Sequence, residues 1–73
     1  MNATKLLVKT TNGLAFGGTT DYIGSATICI DTPELNAMAL TKLYELDATI
    51  RQYSDNWHIQ IAKKYVEKVE FFD

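Results

Sequence analysis

Short runs of apolar and β-branched residues, bounded by turn signals, occupy the first part of the chain and predict strands. Lys5 to Thr10 (KLLVKT) is typical of a strand and leads to Asn12-Gly13, which favours a tight hairpin because both residues tolerate positive φ. A short second strand is expected over Leu14 to Phe16, interrupted by Gly17-Gly18 and followed by a polar loop. Ser25 to Ile30 (SATICI) alternates between apolar and polar residues and predicts a third strand.

A helical period replaces this alternation after residue 31 and predicts one long helix. Thr32 is expected to cap the free N–H groups of its first turn, and Pro33 suits the first helical position because its missing N–H costs nothing there. The helix is expected to run to about Gln52. Its apolar stripe spans about 80° at 100° per residue and comprises Leu35, Ala39, Leu43, Leu46, Ile50 and Tyr53.

The last part of the chain returns to a period of two. Residues 54–56 (SDN) predict a turn, and Trp57, Ile59 and Ile61 then alternate with more polar residues as in a half-buried strand. A turn at Lys63-Lys64 and a final strand over residues 65–72, forming a hairpin with the preceding strand, are expected. A helix over this segment is the alternative, because its apolar residues also recur every three to four positions; Tyr, Val and Phe content favours a strand.

Together these elements predict an α+β fold in a single domain over residues 1–73. Strands before and after one helix suggest an antiparallel sheet of about four strands, with one long amphipathic helix packed on one face. The chain has 73 residues, of which 47% are hydrophobic, a share that is ordinary for a globular protein and excludes the composition of a disordered chain.

Charge and cysteine content narrow the classes of function. The formal net charge is −2, whereas proteins that bind nucleic acid directly usually present a basic face. The single cysteine, Cys29, cannot form an internal disulfide, so a reducing compartment is expected. The N-terminal residues lack the apolar core of a signal peptide, and no apolar run approaches the roughly 20 residues of a membrane span.

The sequence offers few groups for catalysis, and the chain is not expected to be an enzyme. Cys29 and the single histidine, His58, lie on different predicted strands, where a nucleophilic pair is conceivable but would also need a pocket and an oxyanion site. No spacing typical of a metal site is present, and the glycine segment lacks the residues of a phosphate-binding loop. No metal, cofactor or catalytic residue is therefore assigned.

A partner-binding surface is the remaining expectation. Tyrosine and arginine are enriched at interface hot spots, which draws attention to Arg51 and to the tyrosines at 22, 44, 53 and 65. The N-terminal strand is a candidate for an exposed sheet edge. The residues expected to contribute to the partner surface are Lys5, Arg51, Lys63, Lys64 and Tyr65.

Read as a whole, from MNATKLLVKTTNGLAFGG to WHIQIAKKYVEKVEFFD, the sequence resembles a family of small phage-encoded regulators of host RNA polymerase. The resemblance implies binding to the N-terminal end of the polymerase β-prime subunit, inhibition of initiation by displacing the σ factor, and reduced termination. It also implies action by contact in the host cytoplasm, without a cofactor, a membrane or direct binding of nucleic acid. The chain is expected to be a monomer.

A different small phage inhibitor is the alternative. An anti-CRISPR or other anti-defence protein that binds a nuclease complex would share this size, this acidity and this lack of catalytic motifs. Either protein would act by occupying a surface of a much larger partner.

Overall fold

Six antiparallel strands in one sheet, with one nine-residue helix, make up the fold of residues 4–72, the part of the chain that the computed structural model describes. The strands are β1 (Thr4–Thr10), β2 (Ala15–Ile23), β3 (Thr27–Thr32), β4 (Thr49–Tyr53), β5 (Asn56–Ala62) and β6 (Val66–Phe72). The helix α1 (Ala37–Glu45) joins β3 to β4, and a 3₁₀ turn (Lys63–Tyr65) joins β5 to β6. The sheet order is β4-β5-β3-β2-β1-β6.

The expected fold, about four strands with one long helix, is therefore wrong, and the start of the helix shows one reason. Thr32 does not cap the helix, because it is the last residue of β3 and pairs with Trp57. Asn36 is the cap: its side-chain oxygen accepts a hydrogen bond of 2.8 Å from the Ala39 N–H. The segment from Pro33 to Leu35 is a loop between strand and cap.

The end of the helix also differs from the expectation. Asp47 adopts a left-handed conformation (φ 57°), which ends the helix, and the Ala48 N–H donates to the Leu43 carbonyl. The chain then enters β4, where Thr49 and Ile50 have the β-branched side chains that favour a strand. Ile50 continued the helical stripe only because its spacing from Leu46 matches one helical turn.

Strand β2 is longer than expected because its glycines belong to it. Residues 15–23 form one strand, in place of a short strand, a break and a loop. A side chain at Gly18 would overlap the Asp31 carbonyl oxygen and lie 2.9 Å from Cγ2 of Ile30. Glycine at this position lets β2 approach β3, so it marks close packing and not a strand end.

The final strand is confirmed, but its expected pairing is wrong. β6 pairs with β1 along Lys5–Phe72, Leu7–Glu70 and Lys9–Lys68, and it makes no hairpin with β5. Helical geometry in this segment is confined to the three residues of the 3₁₀ turn. β1 therefore lies between β2 and β6, and the expectation that the N-terminal strand is a sheet edge is also wrong; the edges are β4 and β6.

The connection from β5 to β6 shows that the sheet is strongly curled. Four strand spacings separate β5 from β6, about 19 Å in a flat sheet. A link of three residues reaches about 14 Å even when fully extended. Both ends of the link are held in place, since Lys63 N–H donates to the Ala26 carbonyl (2.8 Å) and Thr11 N–H donates to the Tyr65 carbonyl (2.9 Å). The two sides of the sheet must therefore bend towards each other.

The inner face of the curled sheet holds the core. Buried strand residues from β1, β2, β3 and β5 form one cluster with the inward residues of α1, such as Ala39 and Leu43. The helix is tied to the β1–β2 hairpin, because Asn12 Nδ2 donates to the Lys42 carbonyl (3.0 Å) and Lys42 Nζ donates to the Asn12 carbonyl (3.1 Å). The helix thus covers the inner face only, and within residues 4–72 no helix or loop covers the outer face.

We expect Gly18→Ala to destabilise the protein, because the new methyl group would overlap the neighbouring strand. Overpacking of this kind typically costs about 1–3 kcal/mol, and each kcal/mol lowers the Tm of a small domain by about 4–8 °C. The matched control is Gly17→Ala, whose methyl group would meet no neighbour closer than the Leu6 carbonyl oxygen at 3.5 Å. Thermal unfolding followed by circular dichroism measures both variants. Equal Tm values for the two would show that β2 and β3 do not approach closely at Gly18.

Candidate functional site

A row of side chains crosses the outer face of the sheet and touches every strand. Residues paired across antiparallel strands point to the same side, so the register defines the row directly. Each member is the pairing partner of the next, from β4 to β6. This outer row consists of Arg51, His58, Asp31, Thr19, Lys5 and Phe72.

At the centre of the outer row, two ionisable side chains, His58 and Asp31, form a hydrogen bond. His58 Nδ1 lies 2.7 Å from Asp31 Oδ1, and the carboxylate can only accept, so the imidazole N–H donates. The Tyr53 ring meets the His58 ring edge-on, with 6.3 Å between centroids. The side chains of His58 and Asp31 remain 36% and 40% exposed, so both present polar atoms to a partner while holding each other in place.

Cations lie on both sides of this pair. Arg51 is next to His58 on β4, and Lys5 lies two strands beyond Asp31 on β1. Three aromatic side chains on the same face are at least half exposed: Tyr22 (55%), Tyr53 (55%) and Phe72 (50%). Arginine with exposed tyrosine is the combination enriched at interface hot spots, so the chemistry of this face suits binding to a protein surface.

The structure divides the residues expected from the sequence into two groups. Lys5 and Arg51 belong to the outer row, although Arg51 was expected on the helix. Lys63, Lys64 and Tyr65 lie on the 3₁₀ turn, beyond the end of β5. There the Lys64 Nζ sits 5.1 Å from the Tyr65 ring centroid, and Tyr65 packs partly against the core. Tyr44 is exposed on α1, away from both groups.

Sequence reasoning missed the central pair of the row. The expected third strand ended at Ile30, yet Asp31 continues the alternation of β3, in which Cys29 and Asp31 share the outer face. Extending the SATICI strand by one residue would have placed Asp31 correctly. Its contact with His58 joins residues 27 positions apart and has no signal in a single sequence.

Cys29 and His58 lie on adjacent strands, but their partners differ. Cys29 pairs with Gln60, whereas His58 pairs with Asp31 and directs its Nδ1 to that carboxylate. Burial raises the pKa of the Cys29 thiol, and the negative charges of Asp21 and Asp31 raise it further. The neutral thiol is therefore favoured, which is the opposite of what an activated nucleophile requires.

The remaining features of residues 4–72 concern ligands. No group of three or more His, Cys, Asp or Glu side chains in that range is arranged to hold a metal ion. An open groove of about 540 Å³ lies beside the N-terminus of α1, lined by residues that include Leu14, Phe16, Met38 and Trp57. Within the same range, no helix has the length and apolar character needed to cross a membrane.

Comparison of the chain with protein-family models, curated proteins and solved structures finds no match.

We expect Cys29 to react slowly with iodoacetamide at pH 7, because only the thiolate is nucleophilic and its formation is disfavoured. The rate should rise only above the ordinary pKa range of a cysteine thiol, and Asp21→Asn should increase it at neutral pH by removing one nearby negative charge. Mass spectrometry of alkylated protein, with free cysteine as the reference, measures these rates. A rate at pH 7 equal to or above that of free cysteine would contradict the raised pKa.

Proposed function

We propose that this chain is a small phage regulator that binds host RNA polymerase at the N-terminal end of the β-prime subunit. In this proposal it inhibits initiation by displacing the σ factor and reduces termination, and it acts in the host cytoplasm. Two things support it: the resemblance of the whole sequence to regulators of that kind, and an uncovered sheet face with the composition of a protein-binding surface.

The outer row is the observation on which the binding part of the proposal rests. Strand pairing fixes the backbone positions of its members, and the Asp31–His58 hydrogen bond also holds these two side chains, which therefore lose little conformational freedom when a partner binds. Arg51 and Lys5 can pair with carboxylates of a partner, while the exposed oxygens of Asp31 can accept hydrogen bonds from it. Tyr53 and Phe72 add exposed apolar area beside these groups.

The size of the face fits a protein that works by occupancy. A standard interface buries about 800 Å² on each partner, which is about one sixth of the 4828 Å² of accessible surface on residues 4–72. One side of the sheet can supply that area. A small protein that covers a contact surface of a much larger enzyme can exclude a competing subunit such as σ without any chemistry of its own.

We expect the outer row, and not the 3₁₀ turn, to determine affinity for the polymerase. The test compares two double charge reversals, Lys5→Glu with Arg51→Glu and Lys63→Glu with Lys64→Glu, which change the net charge equally. In surface plasmon resonance with purified core polymerase, the first pair of substitutions should raise the Kd at least tenfold, mainly through faster dissociation. The second pair should slow association and alter its salt dependence, as rim charges do.

The opposite ranking of the two pairs would place the contact at the 3₁₀ turn and refute the role of the outer row. The proposed activity is measured separately, by run-off transcription from a σ-dependent promoter and by read-through of a terminator with the same proteins. Absence of binding to purified polymerase, together with capture of a nuclease complex from host lysate, would replace the proposal with the anti-defence alternative.

A further inference from the structure

β6 is an edge strand whose outer side offers unpaired backbone groups. The Thr10 N–H donates towards β2, to the Leu14 carbonyl, whereas the Thr11 N–H donates towards β6, to the Tyr65 carbonyl. Backbone direction alternates along a strand, so Lys9, Leu7 and Lys5 face β6 and exchange hydrogen bonds with their partners Lys68, Glu70 and Phe72. The N–H and C=O groups of Val69 and Phe71 therefore point away from the sheet.

The side chains along this edge are complementary to themselves. In an antiparallel pairing of two β6 strands about Val69, Val69 lies opposite its own copy and Lys68 lies opposite Glu70 of the other copy. The two-fold symmetry gives two such Lys–Glu pairs. The side chains of Lys68 and Glu70 are 61% and 47% exposed and can therefore contact a second copy. Within one chain, Lys68 Nζ lies 3.5 Å from Glu70 Oε1. The outward backbone groups of Val69 are in register for hydrogen bonds in this same arrangement.

Neighbouring registers are unfavourable. A two-fold axis at Lys68 or Glu70 would place like charges opposite each other, and the backbone groups at those positions are already used by β1. The other edge strand, β4, has Arg51 at its middle, so pairing about its centre would oppose two arginines. Among two-fold axes at Lys68, Val69 and Glu70, charge pattern and backbone direction thus favour the pairing of two β6 strands about Val69.

Exposed apolar side chains occur at the same edge. Phe71 is 57% exposed and Phe72 is 50% exposed, and they follow each other at the end of β6. An edge strand with free backbone groups and exposed aromatics is a site at which another strand can add. In the pairing about Val69, each Phe71 lies diagonally across from Val69 of the other copy, which removes apolar surface from water.

We propose that two copies of this chain form a symmetric dimer by antiparallel pairing of their β6 strands about Val69, joining the two sheets into one. This differs from the monomer expected from the sequence. It is independent of the polymerase proposal because its hydrogen bonds and ion pairs use Val69, Lys68 and Glu70, none of which belongs to the outer row. The pairing involves few residues, so the dimer is expected to be weak and to depend on protein concentration.

The test uses charge reversals that can rescue each other. In a dimer of Lys68→Glu chains, both ion pairs become contacts between two acidic residues. In a dimer of Glu70→Lys chains, both become contacts between two basic residues. Each variant alone should therefore have a dimer dissociation constant at least tenfold higher than that of the unchanged protein. An equimolar mixture of the two variants restores opposite charges and should form a heterodimer. The double variant Lys68→Glu with Glu70→Lys should dimerise like the unchanged protein. Sedimentation velocity over a concentration series measures the unchanged protein, the two single variants, their mixture and the double variant.

The outcomes separate dimerisation from effects on folding. An exposed ion pair contributes little to stability, so all variants should keep the same Tm. A monomer at all concentrations of the unchanged protein, or single variants that dimerise as well as their mixture, would overturn the proposal.

Discussion

The three-residue connection between β5 and β6 is the constraint on which the rest of the structure depends. It is too short to cross a flat sheet of this order, so the sheet must curl, and the curl creates an inner face narrow enough to be filled by one short helix. The same connection delivers β6 to the far side of β1. Without it, β1 would be the edge of the sheet, and the last strand would lie elsewhere.

The curl also explains why a helix of only nine residues is sufficient. Residues from both halves of the chain meet inside the sheet, among them Val8, Ile30 and Ile59, each of which is completely or almost completely buried. Leu43 supplies the contact from the helix, and Asn12 fixes the helix relative to the first hairpin through hydrogen bonds. A long helix is needed to cover a broad flat sheet, whereas here most of the core is contributed by the strands themselves.

Local pattern was enough to predict four of the strands, because β1, β3, β5 and β6 each have residue preferences that act within a few positions. It failed where two physical explanations give the same pattern. Ile50 sits one helical turn after Leu46, so a strand residue extended the helical stripe. A glycine such as Gly18 usually indicates the end of a strand. Here the residue is glycine because β3 lies too close for a side chain, and that contact exists only in the folded sheet.

The candidate site was predictable in part for the same reason. Lys5 and Arg51 could be selected as charged residues of an interface type, but their alignment depends on the register of four strand pairs, which no single segment encodes. The Asp31–His58 contact depends on the same register. Positions on strands β3 and β5 are held from both sides, so the centre of the outer row is more rigid than residues on a loop would be.

The outer row and the β6 edge are connected by their geometry. Phe72 is the last member of the row and also belongs to the edge strand, with its backbone directed to Lys5 and not outwards. Pairing of two β6 strands would therefore leave the row intact and place a second row beside it on one continuous face. Two linked copies of a binding face can engage a partner bivalently, which raises the apparent affinity without any new contact. The proposed partner surface and the proposed β6 pairing therefore share Phe72 but otherwise rest on different residues.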